Sequence, residues 1–268
     1  MKTTFTYLFI FCTVMCFSQK DFYGKATYQT KTTFDADRFN NREMSEERKK
    51  QMLEAMKGML EKTYTLNFNK TASIYKEEEK LDAPSAGGRR GLRFNSLSVG
   101  DQYKNVVDKV FLEEKEFFGK KFLISDDASM PQWEMSGETK KIGNYVCYKA
   151  TMLKKNNAFD WNRRRGKENS DEKQVQEPKE ELVTAWYAIQ IPVSSGPAGY
   201  WGLPGLILEV NSGRTTILCT EVVLNPKERT TIKEPKKGEK VTREEYNDIM
   251  KKKMAEMREM WRGRRRRG

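Results

Sequence analysis

The stretch "GPAGYWGLPGLILEV", Gly196–Val210, sets glycine at every third position, interleaves Pro197 and Pro204, and then releases into an apolar run. Pro192, Pro197 and Pro204 supply no backbone donor, so no strand ladder can run through them. The chain must cross as a loop before it re-enters a sheet. Leu203-Pro204-Gly205-Leu206 fits a type II turn, with proline presetting φ at the second position and glycine accepting a positive φ at the third. Leu206 to Val210 then read as a buried strand. Gly196, Gly199 and Gly202 do not have dinucleotide-fingerprint spacing, and they precede a strand rather than open a helix, which argues against a nucleotide site. The stretch reads as a rigid corner.

Strands lie on both sides of it. "LVTAWYAIQIPV" and "YVCYKATML" precede the corner and "TTILCTEVVL" follows it. Further upstream come "YGKATYQTKTTF" (Tyr23–Phe34), "YTLNFNKTASIYKEE", "QYKNVVDKVFLEEKEF", "KFLISDD" and "QWEMSGE". In the second of these Tyr64, Leu66 and Phe68 alternate with polar residues, and Asn69 and Lys70 make a turn, a hairpin with one half-buried face. Phe118, Gly119 and Lys120 form another turn. Many short strands separated by turn residues predict a mainly β protein with a largely antiparallel sheet and few helices.

Two segments have helical periodicity. Over residues 45–62, Met52, Leu53, Met56, Met59 and Leu60 share one face behind Ser45 as cap. Over 241–262, Thr242 and Glu245 form a capping box, Val241 can reach Tyr246 as a hydrophobic staple, and Tyr246, Ile249, Met250, Met254, Met257 and Trp261 line one face until Gly263 ends the helix. Leu81–Gly91 reads as a loop, and Lys154–Glu181 as a polar excursion between strands. The predicted organisation is a signal peptide over 1–18, a β domain over 19–240, the amphipathic helix over 241–262 and a basic tail over 263–268.

The signal peptide rests on Lys2 followed by an uncharged apolar run from Phe5 to Phe17, with cleavage expected after Ser18. That run is shorter than the roughly 20 residues of a membrane span. Secretion or periplasmic residence follows. Cys12 and Cys16 leave with the leader, so Cys147 and Cys219 remain, either as one disulfide or as two buried thiols. The chain holds no histidine. That excludes a Ser-His-Asp triad, a Cys-His pair and a histidine-ligated zinc, and lowers the expectation of an enzyme. The net charge of +12 is concentrated in Arg163–Arg165 and in Arg262, Arg264, Arg265, Arg266 and Arg267. In a secreted protein this suits an anionic envelope surface better than nucleic acid.

Chemistry-bearing patterns are sparse. Met250, Met254 and Met257 recur at helical spacing, where thioethers could converge on a soft ion such as Cu(I), although such a row more often packs or binds a partner. Glu113 and Glu114 point to opposite faces of a strand and cannot share a substrate, Asp126 and Asp127 sit near a turn, and all four read as solvated. Cys147 reads as a buried structural thiol.

At Gly202-Leu203-Pro204-Gly205-Leu206-Ile207 the sequence resembles the GLPGLI family. "GNYVCYKAT" (Gly143–Thr151) and "AWYAIQIPVSSGP" (Ala185–Pro197) precede the motif in the family's order. The resemblance implies a secreted or periplasmic protein without assigned catalytic residues. By fold-level analogy it implies a curved, half-barrel antiparallel sheet covered on one side by helices, similar to periplasmic lipid or lipoprotein carriers. The resulting expectation is a non-enzymatic envelope protein without a cofactor. It would bind an apolar ligand or a membrane-protein partner through Trp186, Tyr200, Trp201 and Leu203. The alternative is a copper-binding or stress-responsive protein using its methionine helices.

Overall fold

The computed structural model describes residues 22–33, 45, 47, 50, 60–78, 100–127, 129–156 and 179–265. The signal peptide, most of the helix expected over 45–62, the Leu81–Gly91 loop, most of the polar excursion and the last residues of the basic tail lie outside them. Glu47, Lys50 and Leu60 are helical.

The strands are β1 (Tyr23–Thr32), β2 (Glu61–Asn69), β3 (Ala72–Glu77), β4 (Asp101–Asn105), β5 (Val110–Phe117), β6 (Lys120–Asp127), β7 (Glu134–Ile142), β8 (Tyr145–Asn156), β9 (Lys179–Ala188), β10 (Leu206–Ser212), β11 (Thr215–Leu224) and β12 (Glu239–Thr242). The helix α1 spans Arg243–Arg265. The strands form one open sheet in the order β12-β6-β5-β4-β3-β2-β1-β11-β10-β9-β8-β7. Most neighbours are joined by hairpins and run antiparallel. At Phe118 and Gly119, φ values of 50° and 76° make the tight two-residue reversal that the twist of a hairpin favours.

The mainly β, largely antiparallel sheet expected is what forms, but three details differ. First, β12 pairs with β6 in parallel, Val241 opposite Ile124, which makes the sheet mixed. A parallel neighbour requires a crossover, and residues 225–238 provide one. They pass from β11 to the far edge, seven strand spacings of about 4.8 Å, or about 34 Å, away. Second, β2 is buried on both faces rather than one, since the crossing segment covers its back. There the Tyr23 hydroxyl donates to Thr230 O at 2.7 Å, with Asn67 Oδ1 3.2 Å from the same hydroxyl. Ile232 packs onto Ala72, Tyr103, Leu112 and Leu123 farther along. Third, α1 runs through Gly263 to Arg265; a glycine costs a helix only about 1 kcal/mol and does not by itself end one.

The front face carries the main core. Register aligns Ala26 with Leu66 and Tyr28 with Tyr64, then Leu66 with Tyr75. On the other flank, Val210 lies opposite Ala185 and Ala185 opposite Ala150. These side chains join Leu203, Leu206, Ile207 and Leu208 in one cluster. A second cluster seats α1, with Tyr246 meeting Phe122 and Phe117 edge-on at 5.4 and 6.3 Å. The capping box is formed: Glu245 N donates to Thr242 Oγ1 at 3.2 Å and Thr242 N to Glu245 Oε2 at 2.8 Å. Val241 and Tyr246 share that cluster, as a staple requires.

Candidate functional site

The β9–β10 connection, residues 189–205, folds over the front of the sheet. Ile191, Val193 and Leu203 enter the main core, and Leu203 is 0% exposed. The corner is braced to its own strand ends. Leu206 N donates to Ile191 O at 3.0 Å, Ile207 N to Ser195 O at 3.1 Å, and Ser194 Oγ to Leu203 O at 3.1 Å. The type II turn is not what forms: the positive φ falls at Gly202 (95°), not at Gly205. Gly205 serves close approach instead, because a Cβ there would stand 2.2 Å from Ala188 O. Packing of β10 against the end of β9 thus decides the backbone that local turn chemistry left undetermined.

Of the four aromatic and apolar candidates, the corner brings together Tyr200, Trp201 and Leu203. Trp186 lies on the opposite face, since it follows front-facing Ala185 along β9. There the Lys140 ammonium sits 4.4 Å from its ring and pairs with Glu209 Oε2 at 2.7 Å. Tyr200 is buried on one side against Trp133, with ring centroids 6.5 Å apart, while Trp133 Nε1 donates to Trp201 O at 2.7 Å. Its other side borders an open cleft of about 450 Å³, whose walls include Met130, Pro131, Met152, Leu153 and Lys154. Lys154 Nζ lies 5.0 Å from the Tyr200 ring centroid. Ser129, Gln132 and Gly199 also line it, so the cleft is mixed polar and apolar, with the Lys154 ammonium at the aromatic edge.

Behind the same corner, Trp201 covers a buried lysine. Lys104 is 3% exposed, with Nζ 5.7 Å from the Trp201 ring and 5.9 Å from the Phe111 ring. Burial alone pushes its pKa down to about 7. Gln102, two residues along the same strand and face, buries an Oε1 that receives no hydrogen bond. On the next strand Glu113 is also buried, its carboxylate accepting from Gly100 N at 2.9 Å and pairing with Arg243 at 2.7 Å. Arg243 also holds Asp126 at 2.7 Å. Glu113 and Asp126 are thus not solvated as expected, because the first turn of α1 brings a guanidinium over them. Glu114 does point to the other face, toward Lys121 at 3.9 Å.

Cys147 and Cys219 are both free and buried, and burial raises their thiols to about 11 and about 12. Met250 and Met254 pack against the Tyr246 cluster, and Met257 is half-buried farther along the helix. The side chains of Arg262, Arg264, Arg265, Arg266 and Arg267 lie outside the described residues. No helix among the described residues is long and apolar enough to cross a membrane.

Sequence reasoning missed Lys104, Lys154 and Trp133. In "DQYKNVV" the alternation of Gln102 and Lys104 is what a solvated strand face would show, and nothing local marks either residue as buried. Only the covering corner does so.

A family model described as "Protein of unknown function (Porph_ging)" matches residues 133–209, the segment from Trp133 into β10 that holds the corner and one wall of the cleft. No curated protein matches the chain. Among solved structures the chain is similar to PNGF-II in space groups C2 and P21. Each has a TM-score of 0.49, with 13% and 14% identity, covering 86% of this chain and 32% and 33% of theirs. The chain therefore spans about a third of the length of those solved chains. What residues 133–209 share with the matched family is a segment whose function is unassigned.

Proposed function

We propose that this is a non-enzymatic binding protein of the cell envelope, secreted or periplasmic and akin to the GLPGLI proteins, that takes an apolar ligand bearing an acidic group beside Tyr200. One observation carries the reading: the cleft of about 450 Å³ sets the apolar side chains of Met130, Pro131, Met152 and Leu153 beside the polar Ser129 and Gln132 and the Lys154 ammonium at the Tyr200 ring. Its size lies within the roughly 300–1,000 Å³ common for ligand pockets, and its mix of apolar side chains with Ser129, Gln132 and Lys154 suits a ligand with an apolar body and a polar head. An acidic headgroup would displace the ammonium from the ring into an ion pair, while the ligand's apolar body covers the methionines, whose flexible thioethers adapt to varied shapes.

The test is titration of the mature protein with a fluorescent fatty acid, read by energy transfer from tryptophan. Saturable micromolar binding is expected, weakened about tenfold or more in Lys154→Glu, the change of about 1.4 kcal/mol that loss and reversal of one charge contact can produce. The matching fatty alcohol should bind more weakly to the wild type and equally to both proteins. Non-saturable binding, or equal affinity of the acid for wild type and Lys154→Glu, refutes the assignment.

A further inference from the structure

We infer that Lys104 is a reactive amine that captures a small aldehyde or ketone as a Schiff base, at a covalent site separate from the Tyr200 cleft. The geometry is unusual for a structural lysine. Buried lysines are almost always paired, yet no carboxylate of a described residue lies within ion-pair distance of Lys104 Nζ. Its contacts are the faces of Phe111 and Trp201 at 5.9 and 5.7 Å. Register places Ser73 of β3 opposite it on one side and Phe111 of β5 on the other. Glu113 stands diagonally across β5 and is already engaged by Arg243 and the Gly100 N–H. The remaining polar neighbour along the strand is Gln102, whose buried Oε1 lacks a donor. Lys104, with no carboxylate partner among the described residues, and Gln102, whose Oε1 has no donor, thus share one strand face under the Trp201 and Phe111 rings, one nucleophile and one hydrogen-bond acceptor.

Desolvation makes such an amine competent at neutral pH. An ordinary lysine with pKa about 10.4 is uncharged in only ~0.04% of molecules at pH 7, whereas Lys104, brought down to about 7, is neutral in a large share of them. The neutral Nζ attacks the carbonyl carbon. The carbinolamine oxygen then departs as water with the two amine hydrogens, leaving C=N. No redox partner is needed.

The experiment uses the mature wild-type chain at pH 7 with propanal and cyanoborohydride, which reduces the imine to a stable propyl-amine, followed by peptide mass mapping over time. Lys104 is expected to be alkylated at least about tenfold faster than exposed lysines such as Lys31 and Lys70, well below the ~10³ ratio of neutral fractions because burial slows access. In concentrated urea that preference should vanish. Lys154→Glu should leave Lys104 labelling unchanged, so failure of the cleft reading and failure of this one are distinguishable. Labelling of native Lys104 no faster than of the exposed lysines, or faster in urea than in the native state, overturns the inference without requiring any variant at Lys104 to fold.

Discussion

Leu203→Ala tests whether the middle of the Gly202–Ile207 motif is core or binding surface. Leu203 is 0% exposed and sits in the main cluster with Leu206, Ile207 and Leu208. Removing its three terminal carbons forfeits about 2.4 kcal/mol of transfer free energy at about 0.8 kcal/mol per methylene, and the residual cavity adds to that. Buried leucines truncated in this way lose about 2.7–5 kcal/mol. The braced backbone around it, with Ser194 Oγ on Leu203 O and the Leu206 and Ile207 amides tied to the loop, limits collapse into the void. A loss of about 3 kcal/mol is therefore expected, which is roughly 6–12 °C in Tm at about 2–4 °C per kcal/mol for a chain of this size. Urea unfolding followed by tryptophan fluorescence and far-ultraviolet circular dichroism measures it. Leu153→Ala, at a site 66% exposed, is the control and should cost under about 0.5 kcal/mol. Fatty-acid affinity of the folded Leu203→Ala protein should match the wild type, because Leu203 does not line the cleft. A loss below about 1 kcal/mol, or one equal to that of Leu153→Ala, would refute the placement of Leu203 in the core.

Arg243→Met should cost about 2–3 kcal/mol in urea unfolding, since it leaves the buried Glu113 carboxylate without its cation, discounted from the usual range because Arg243 is partly exposed. Adding Glu113→Gln should recover part of that loss, and a double variant no more stable than the single one would contradict the pairing. Thr242→Ala should cost about 1 kcal/mol and reduce the helical signal by removing the acceptor for Glu245 N. Native Cys147 and Cys219 should react with a thiol reagent at pH 8 far more slowly than after unfolding, because burial holds both thiols well above that pH. Lys104 binds its proton more weakly in the folded than in the unfolded chain, so its charge opposes folding fully below about pH 7 and the opposition is relieved as pH rises from there toward the unfolded value. Lys104→Met should accordingly be more stable than wild type at pH 6, with the gap narrowing by pH 9; an unchanging gap would show that desolvation of the ammonium is not the cause.

The matched segment, residues 133–209, has its corner made legible by prolines that exclude a ladder, but its fine geometry was not. The Pro-Gly pair suggested where φ should turn positive, yet Gly205 is needed for its missing side chain and Gly202 takes the left-handed backbone. Likewise the amino-acid pattern marked Tyr200 and Trp201 as unusual without showing that consecutive rings serve different places, one lining the open cleft and the other covering the Lys104 side chain.

Local chemistry was enough to determine the alternating strands, most of the hairpins and the start of α1. Period-two burial, paired turn residues and the Thr242–Glu245 capping box act between residues a few positions apart. What only the tertiary structure decided depends on surfaces brought together from distant parts of the chain. The segment 225–238 covers the back of β2 and returns β12 parallel to β6, α1 carries Arg243 onto Glu113 and Asp126, and the corner seals Lys104. Whether a strand's polar face meets water or another segment is set by what packs over it, and a lysine in "DQYKNVV" carries no mark of that until Trp201 lies across it.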